Sequence, residues 1–201
     1  MSLNISITDY GVGNLYSIRR SLENCGANVT VVEDMRDVLD AECIVFPGVG
    51  AFDRTMEKLI PYREAICERL EDGTPALGIC IGMQILFEGS DEGSSPGLGF
   101  YDGRVRKLDC KVIPHMGWNQ VVTEDPLLDG VKDNNFYFVH SYYGSPADSA
   151  ITLGTTEYEG TVFESFFRKK NTYGTQFHPE KSSVSGRKFL QNFISFAEGL
   201  L

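Results

Sequence analysis

Apolar positions in the first half of the chain follow two alternating rhythms, and the switches between them mark out strand and helix in turn. Leu3 to Thr8 reads as a short strand that ends at Asp9 and runs into a Gly-rich turn, Gly11-Val12-Gly13-Asn14. From about Leu15 to Cys25, the spacing of Ile18, Leu22 and Cys25 puts one apolar stripe on a helix, with Gly26 suited to stop it. Val29 to Val32 is a second strand, and Cys43 to Phe46 a third, stopped by Pro47-Gly48. A long amphipathic helix follows from about Arg54 to Leu70, carrying Met56, Leu59, Ile60, Ile66, Cys67 and Leu70; Pro61 should kink or break it. Ala76 to Ile79 is apolar throughout, the pattern of a strand buried on both faces of a parallel sheet.

Beyond about Ser90 the texture changes. Gly- and Ser-rich sequence from Gly89 to Gly99 gives way to short β segments: roughly Tyr101 to Leu108, Asn119 to Val122, Phe136 to Tyr142, Ile151 to Glu157, Val162 to Arg168 and Tyr173 to Phe177. A closing helix from about Val184 to Ala197 has Phe189, Phe193 and Phe196 on one side. The fold class read from this pattern is α/β: an open, mostly parallel sheet flanked by helices, with an antiparallel β extension. No repeat and no linker divides it, so residues 1–201 are expected to form a single domain.

Composition narrows the function. A chain of 201 residues can bury roughly 70% of its unfolded surface. Lys and Arg total 18 against 28 Asp and Glu, a formal charge of −10. That balance repels phosphate backbones, and no basic stripe is present, so a nucleic-acid partner is not expected. No apolar run approaches the ~20 residues of a membrane span, and the N-terminus lacks the pattern of a secretory signal. The five cysteines (25, 43, 67, 80 and 110) are scattered and form no C-x-x-C pair. Neither a disulfide scaffold nor a zinc knuckle fits, and a reducing cytoplasm does.

One cysteine stands apart. Pro75 to Phe87 reads strand, tight turn, helix, with Gly78-Ile79-Cys80-Ile81-Gly82 at the turn, a cysteine version of the nucleophile elbow. Gly78 and Gly82 let strand and helix approach closely. The helix that starts here should turn its positive end to the sulfur and favour thiolate, and the Ile81 amide is placed to donate to an oxyanion. A lone G-x-C-x-G also describes a buried structural cysteine beside packing glycines; the strand before and the helix after tip the reading toward catalysis.

A thiolate attacking an amide needs a base that can pass its proton to the leaving ammonia. Only His115, His140 and His178 exist. His178 closes the strand Tyr173 to Phe177 and is followed by Pro179 and Glu180, whose carboxylate can accept from the imidazole. Cys80, His178 and Glu180 thus supply nucleophile, base and orienting group. The three histidines lack metal-ligand spacing, so no metal is expected. The loops at Gly11 and at Gly48 miss the third glycine of a dinucleotide fingerprint, Tyr16 and Asp53 standing there instead.

In these residues the chain resembles the class I, or triad, glutamine amidotransferases, whose P-G-x-G loop, G-x-C-x-G-x-Q elbow and H-P-E segment it matches in order. More narrowly, it is similar to the glutaminase subunits of imidazole glycerol phosphate synthases of histidine biosynthesis. The similarity rests on Asp9 to Leu15, Pro47 to Phe52, Gly78 to Gln84, Pro114-His115-Met116-Gly117-Trp118-Asn119, Tyr137 to Tyr143 and Gln176 to Lys181. The elbow and H-P-E mark the superfamily; P-H-M-G-W-N and the opening mark the narrower group.

The resemblance implies a flavodoxin-like core, a γ-glutamyl thioester on Cys80 and an oxyanion held by the amides of Val49 and Ile81. It implies glutamine bound near Gly48, Gly50, Gln84, Glu92, Ser141 and Tyr142, and no cofactor. It also implies a (βα)8-barrel cyclase partner that receives ammonia, with His115, Trp118, Asn119, Tyr137 and Lys181 at or near the interface. In this family the loop at Pro47 to Gly50 can sit with its amide turned away until the partner site fills.

From the residues alone, Glu92 remains open as a solvated loop acid and Trp118 as a core side chain. Other readings considered are a class I glutaminase feeding a different synthase, such as a sugar-amidating enzyme, a non-catalytic module, and a cysteine hydrolase of the peptidase kind.

Overall fold

The computed structural model describes residues 2–11, 15–48 and 50–201. An eight-stranded sheet forms its centre. In chain order its parallel part comprises β1 (Asn4–Thr8), β2 (Asn28–Val32), β3 (Cys43–Phe46) and β4 (Ala76–Ile79). The helices between them are α1 (Tyr16–Asn24), α2 (Met35–Val38), α3 (Phe52–Leu59) and α4 (Arg63–Glu71), and α5 (Ile81–Gln84) follows β4 directly. The second half contributes β5 (Gly103–Lys107), β6 (His115–Gln120), β7 (Val122–Thr123), β8 (Asn135–His140), β9 (Tyr142–Pro146), β10 (Thr152–Tyr158), β11 (Thr161–Lys169) and β12 (Thr172–Thr175). α6 (Ser183–Glu198) ends the chain.

The strand order is β2-β1-β3-β4-β12-β11-β10-β7, parallel as far as β12 and antiparallel beyond it. Two separate antiparallel ribbons, β5–β9 and β6–β8, stand beside this sheet. The expected parallel core with an antiparallel extension is therefore present. β3 and β4 are buried at every residue, and their alternate side chains serve two different cores. Cys43, Val45, Leu77 and Ile79 join Ile18, Leu22, Phe189 and Phe193 on one face. Ile44, Phe46 and Ala76 join Phe52, Met56, Leu59, Ile66 and Leu70 on the other. This is why these strands read as unbroken apolar runs: helices cover both faces.

Several boundaries differ from the sequence reading, each for a physical reason. The helix expected from Arg54 to Leu70 is two helices, α3 and α4, joined by a 3₁₀ turn at Ile60–Tyr62 that accommodates Pro61. The short α2 was not foreseen; Asp34 caps it by accepting from the Arg36 amide at 3.0 Å. The segment expected from Phe136 to Tyr142 is two strands. β8 pairs with β6, β9 pairs with β5, and the chain changes partner at Ser141. Likewise Asn119 to Val122 divides between β6 and β7, and β6 begins earlier, at His115. The turn at Val12 to Asn14 lies outside the described residues.

Candidate active site

Open α/β sheets bind their ligands beyond the carboxyl ends of the strands, and here β3, β4 and β12 end together. Cys80 leaves β4 with φ 48° and ψ −107°, a backbone conformation that costs an L-residue about 1–3 kcal/mol. Its own amide donates to the Thr175 carbonyl at the end of β12 (2.7 Å), and its carbonyl accepts from Met83 and Gln84 as α5 begins. The turn is therefore clamped on both sides. Glycine is required beneath it. A Cβ on Gly82 would stand 2.0 Å from the Phe46 carbonyl oxygen, so α5 could not lie against β3. α5 is a single turn of helix, and its macrodipole is smaller than the sequence reading assumed. What remains at the sulfur is the local field of the first amides, which have no partner four residues back.

His178 does not close a strand. β12 ends at Thr175, and His178 precedes a 3₁₀ turn at Pro179–Lys181, held under the β6–β8 ribbon by its amide, which donates to the Tyr137 carbonyl (2.9 Å). That turn swings the Glu180 carboxylate back to the ring, with His178 Nδ1 to Glu180 Oε1 at 2.8 Å. Both side chains are buried, 2% and 6% exposed. The other ring nitrogen, Nε2, is also buried and makes no hydrogen bond within the chain. Burial opposes a charge on this ring. The adjacent Cys80 sulfur and the Glu180 carboxylate outweigh it, and the imidazole pKa is pushed up to about 10.

Cys80 and His178 line one cavity of about 370 Å³ together with Gly48, Gly50, Ile81, Gln84, Glu92, Ser141, Tyr142 and Lys181. That volume suits a small metabolite. Every residue expected to bind substrate is thus on its wall; Glu180 stands behind His178, and Val49 lies outside the described residues. A Cβ on Gly48 would meet the Ile79 carbonyl at 2.8 Å and His178 Cε1 at 3.0 Å, so only glycine lets the loop pass this close to the imidazole. Glu92 accepts from the Phe52 amide at 3.2 Å, and partial desolvation, aided by Asp53, raises its pKa. It is a wall residue with a bonded carboxylate rather than a free loop acid.

The expected interface residues sort by the faces of the β6–β8 ribbon. Trp118 is opposite Tyr137 in register and meets it edge to face, with ring centroids 6.3 Å apart. Trp118 is 52% and Met116 60% exposed, which settles the tryptophan as a surface residue. Lys181 is exposed and Asn119 partly so. His115 does not reach the surface. It is buried, stacked between Phe138 and Tyr158, and its Nδ1 meets His140 Nε2 at 3.0 Å. The strand alternation that turns Met116 and Trp118 outward turns His115 inward. Desolvation lowers the His115 pKa to about 4 and that of His140 to about 3.

Sequence reasoning missed Gln176, which is fully buried with its amide nitrogen 3.5 Å from the Cys80 sulfur. The available signal was its place beside the elbow, since β12 was already expected to end near the triad. Among the described residues, no group of three or more His, Cys, Asp or Glu could hold a metal ion. All five cysteines are free thiols.

The family model described as glutamine amidotransferase class-I matches residues 6–196, and the chain belongs to that family. Within it, the chain is similar to proteins named imidazole glycerol phosphate synthase subunit HisH. It is 45% identical to that of Thermococcus kodakarensis, over 94% of this chain and 98% of the relative. It is 46% identical to that of Methanocaldococcus jannaschii, with the same coverage.

Solved structures share the fold at lower identity. A structure described as glutamine amidotransferase has a TM-score of 0.74 at 14% identity, covering 96% of this chain and 98% of that one. PurLQS from Thermotoga maritima has a TM-score of 0.70 at 16% identity, covering 100% and 99%.

Proposed function

We propose that this chain is the glutaminase subunit of an imidazole glycerol phosphate synthase, acting in histidine biosynthesis as one domain over residues 1–201. It hydrolyses glutamine to glutamate and ammonia and delivers the ammonia to a (βα)8-barrel cyclase. The observation that carries this reading is the buried His178–Glu180 pair, whose free Nε2 shares a cavity with a cysteine on a strained elbow.

The chemistry follows from the geometry. The Cys80 thiolate adds to the side-chain amide carbon of glutamine, and negative charge collects on the amide oxygen. Ile81, at the start of α5, offers an N–H to that oxygen, with Val49 as the second donor on the family pattern. His178, protonated and oriented by Glu180, hands its proton to the departing nitrogen; ammonia leaves and a γ-glutamyl thioester remains. The same ring, now neutral, takes a proton from water as water attacks the thioester, and glutamate is released. Glu92, Gln84, Ser141 and Tyr142 hold the amino-acid end of the substrate, the Glu92 carboxylate suiting the α-ammonium.

The β6–β8 ribbon presents Met116, Trp118 and Tyr137 outward, while the backbone of Val139 on the same ribbon borders the cavity at Cys80. A partner seated on this face, with Lys181 at its edge, would lie one strand from the site of ammonia release. Relatives named as synthase subunits support such a partner.

The test separates the two halves of the reaction. In the complex with a barrel cyclase, Cys80→Ala should abolish glutamine-dependent synthesis and leave ammonia-dependent synthesis intact. Loss of both activities, or survival of the first, would refute the division of labour.

A further inference from the structure

Around the cavity, one buried side chain touches the sulfur yet has no part in the mechanism above. Gln176 follows the last residue of β12, whose carbonyl holds the Cys80 amide, and its own amide donates to the Ser165 carbonyl at 2.9 Å. The backbones of Cys80 and Gln176 are thus held by adjacent strands, β12 and β11. The side chain of Gln176 is fully buried, and the bonding around it fixes which end faces the sulfur. Gln84 Nε2 lies 2.9 Å from the Tyr142 carbonyl oxygen. A carbonyl only accepts, so that end of Gln84 is its NH₂ group. The same nitrogen lies 3.2 Å from the Gln176 side chain, where it must meet the acceptor, Oε1. The end of Gln176 that remains, 3.5 Å from Sγ of Cys80, is therefore its NH₂ group.

We propose that Gln176 is a positioning residue for the nucleophile, its side-chain N–H donating to the Cys80 sulfur in the thiolate form and holding it toward the substrate. The Gln84–Tyr142 pair sets the orientation of that donor. The Val139 carbonyl, 3.9 Å from Sγ, lies where a thiol hydrogen could point. The sulfur thus has an acceptor nearby for its protonated form and a donor for its ionised form. The donor serves twice in the reaction, before attack and again when the thioester breaks and the sulfur leaves. Gln176 does not line the substrate cavity, so its effect belongs to turnover rather than to glutamine binding. The consequence for turnover rests on the glutaminase reading; the effect on the sulfur does not.

The test compares Gln176→Met, which keeps the shape and removes the donor, with Gln176→Glu, which still accepts from Gln84 but puts a carboxyl oxygen at the sulfur. The first readout is the rate at which iodoacetamide modifies Cys80 in the full chain as a function of pH, followed by mass spectrometry of the Cys80 peptide. His178, His140, Glu92 and Lys181 also face this cavity and are the same residues in native and variant chains, so the difference between the profiles reads the substitution, including its effect on the coupled His178 ring. The profile midpoint should move to higher pH by about one unit in Gln176→Met and further in Gln176→Glu. In the complex, glutaminase kcat should fall about ten-fold or more with KM little changed. Unshifted alkylation profiles with native kcat in both variants would overturn the proposal.

The unmutated chain supplies a check independent of variant folding. The Gln176 side-chain amide proton resonance should move with the same midpoint as the alkylation profile, and one that stays fixed through it would also overturn the proposal. Native chain in complex that alkylates at Cys80 yet splits no glutamine would refute the glutaminase reading instead, and the alkylation profiles would still decide the role of Gln176.

Discussion

The His178 side chain is 2% exposed, with one nitrogen on a carboxylate, the other without a partner within the chain, and the ring on the cavity wall. The raised pKa of His178, about 10, means the ring carries its proton at neutral pH, ready for the leaving nitrogen. Because this folded-state value lies above the unfolded one near 6.5, the charged ring contributes stability below about pH 6.5, and the contribution is lost as pH rises toward 10. Removing the carboxylate weakens both functions. Glu180→Gln keeps the size of the side chain but not its charge; glutaminase turnover should fall by about 10²-fold or more. The alkaline limb of its pH profile should move to lower pH, as a glutaminase assay across the alkaline range would show. Cys80, His178 and Glu180 were legible in the sequence because each residue type sits in a short motif. Gln176 was not, since a buried glutamine declares itself only through the atoms it touches.

At the scale of elements, the elbow is held by backbone rather than by side chains. The close pass of α5 against β3 leaves no room for a methyl group at Gly82, where the obstructing atom is the Phe46 carbonyl oxygen. Gly82→Ala should therefore destabilise the fold by about 3 kcal/mol or more, read by denaturant unfolding or as loss of soluble chain; a neutral substitution would contradict the close pass. In the first half, the helices α1, α3 and α4 were readable from their one-sided apolar stripes, and β3 and β4 from unbroken apolar runs that serve both cores. The second half was less so. Its strands follow one another with no α-helix between them, β8 and β9 run on with only Ser141 between them, and β6 holds a glycine at positive φ (Gly117, 133°). Ser141, where the chain changes pairing partner, lines the cavity.

Across the whole molecule, two cores hold the sheet from either side, and the one that includes Phe138 and Phe163 also packs the neutral pair His115 and His140. A carbonyl accepts at one end of this pair, Tyr142 O from His140 Nδ1 (2.8 Å), and Asn119 Nδ2 stands 3.3 Å from His115 Nε2 at the other. Neither ring has room for a second proton without breaking a bond. With folded-state pKa values of about 4 and about 3, below the unfolded value, both contribute stability that is full above about pH 6.5 and lost as pH falls. Each adds up to about 1.4 kcal/mol per pH unit to that slope. Urea unfolding at pH 7, 6 and 5 should show stability declining toward acid before most carboxylates titrate; a flat profile would contradict a buried neutral pair. The overall sheet architecture was legible because layer order follows from element order. The inward face of His115 was not, since it depends on the register of β6, one residue either way reversing it.

The central claim is that the sulfur of Cys80 attacks glutamine with His178 and Glu180 behind it. The most direct measurement is to treat the chain, in complex with a barrel cyclase, with a glutamine-mimicking diazo-ketone and map the adduct by mass spectrometry. The account predicts one adduct, on Cys80, formed in step with loss of glutaminase activity and slowed by added glutamine. Inactivation with Cys80 unmodified, or with the label on another of the five thiols, would contradict it.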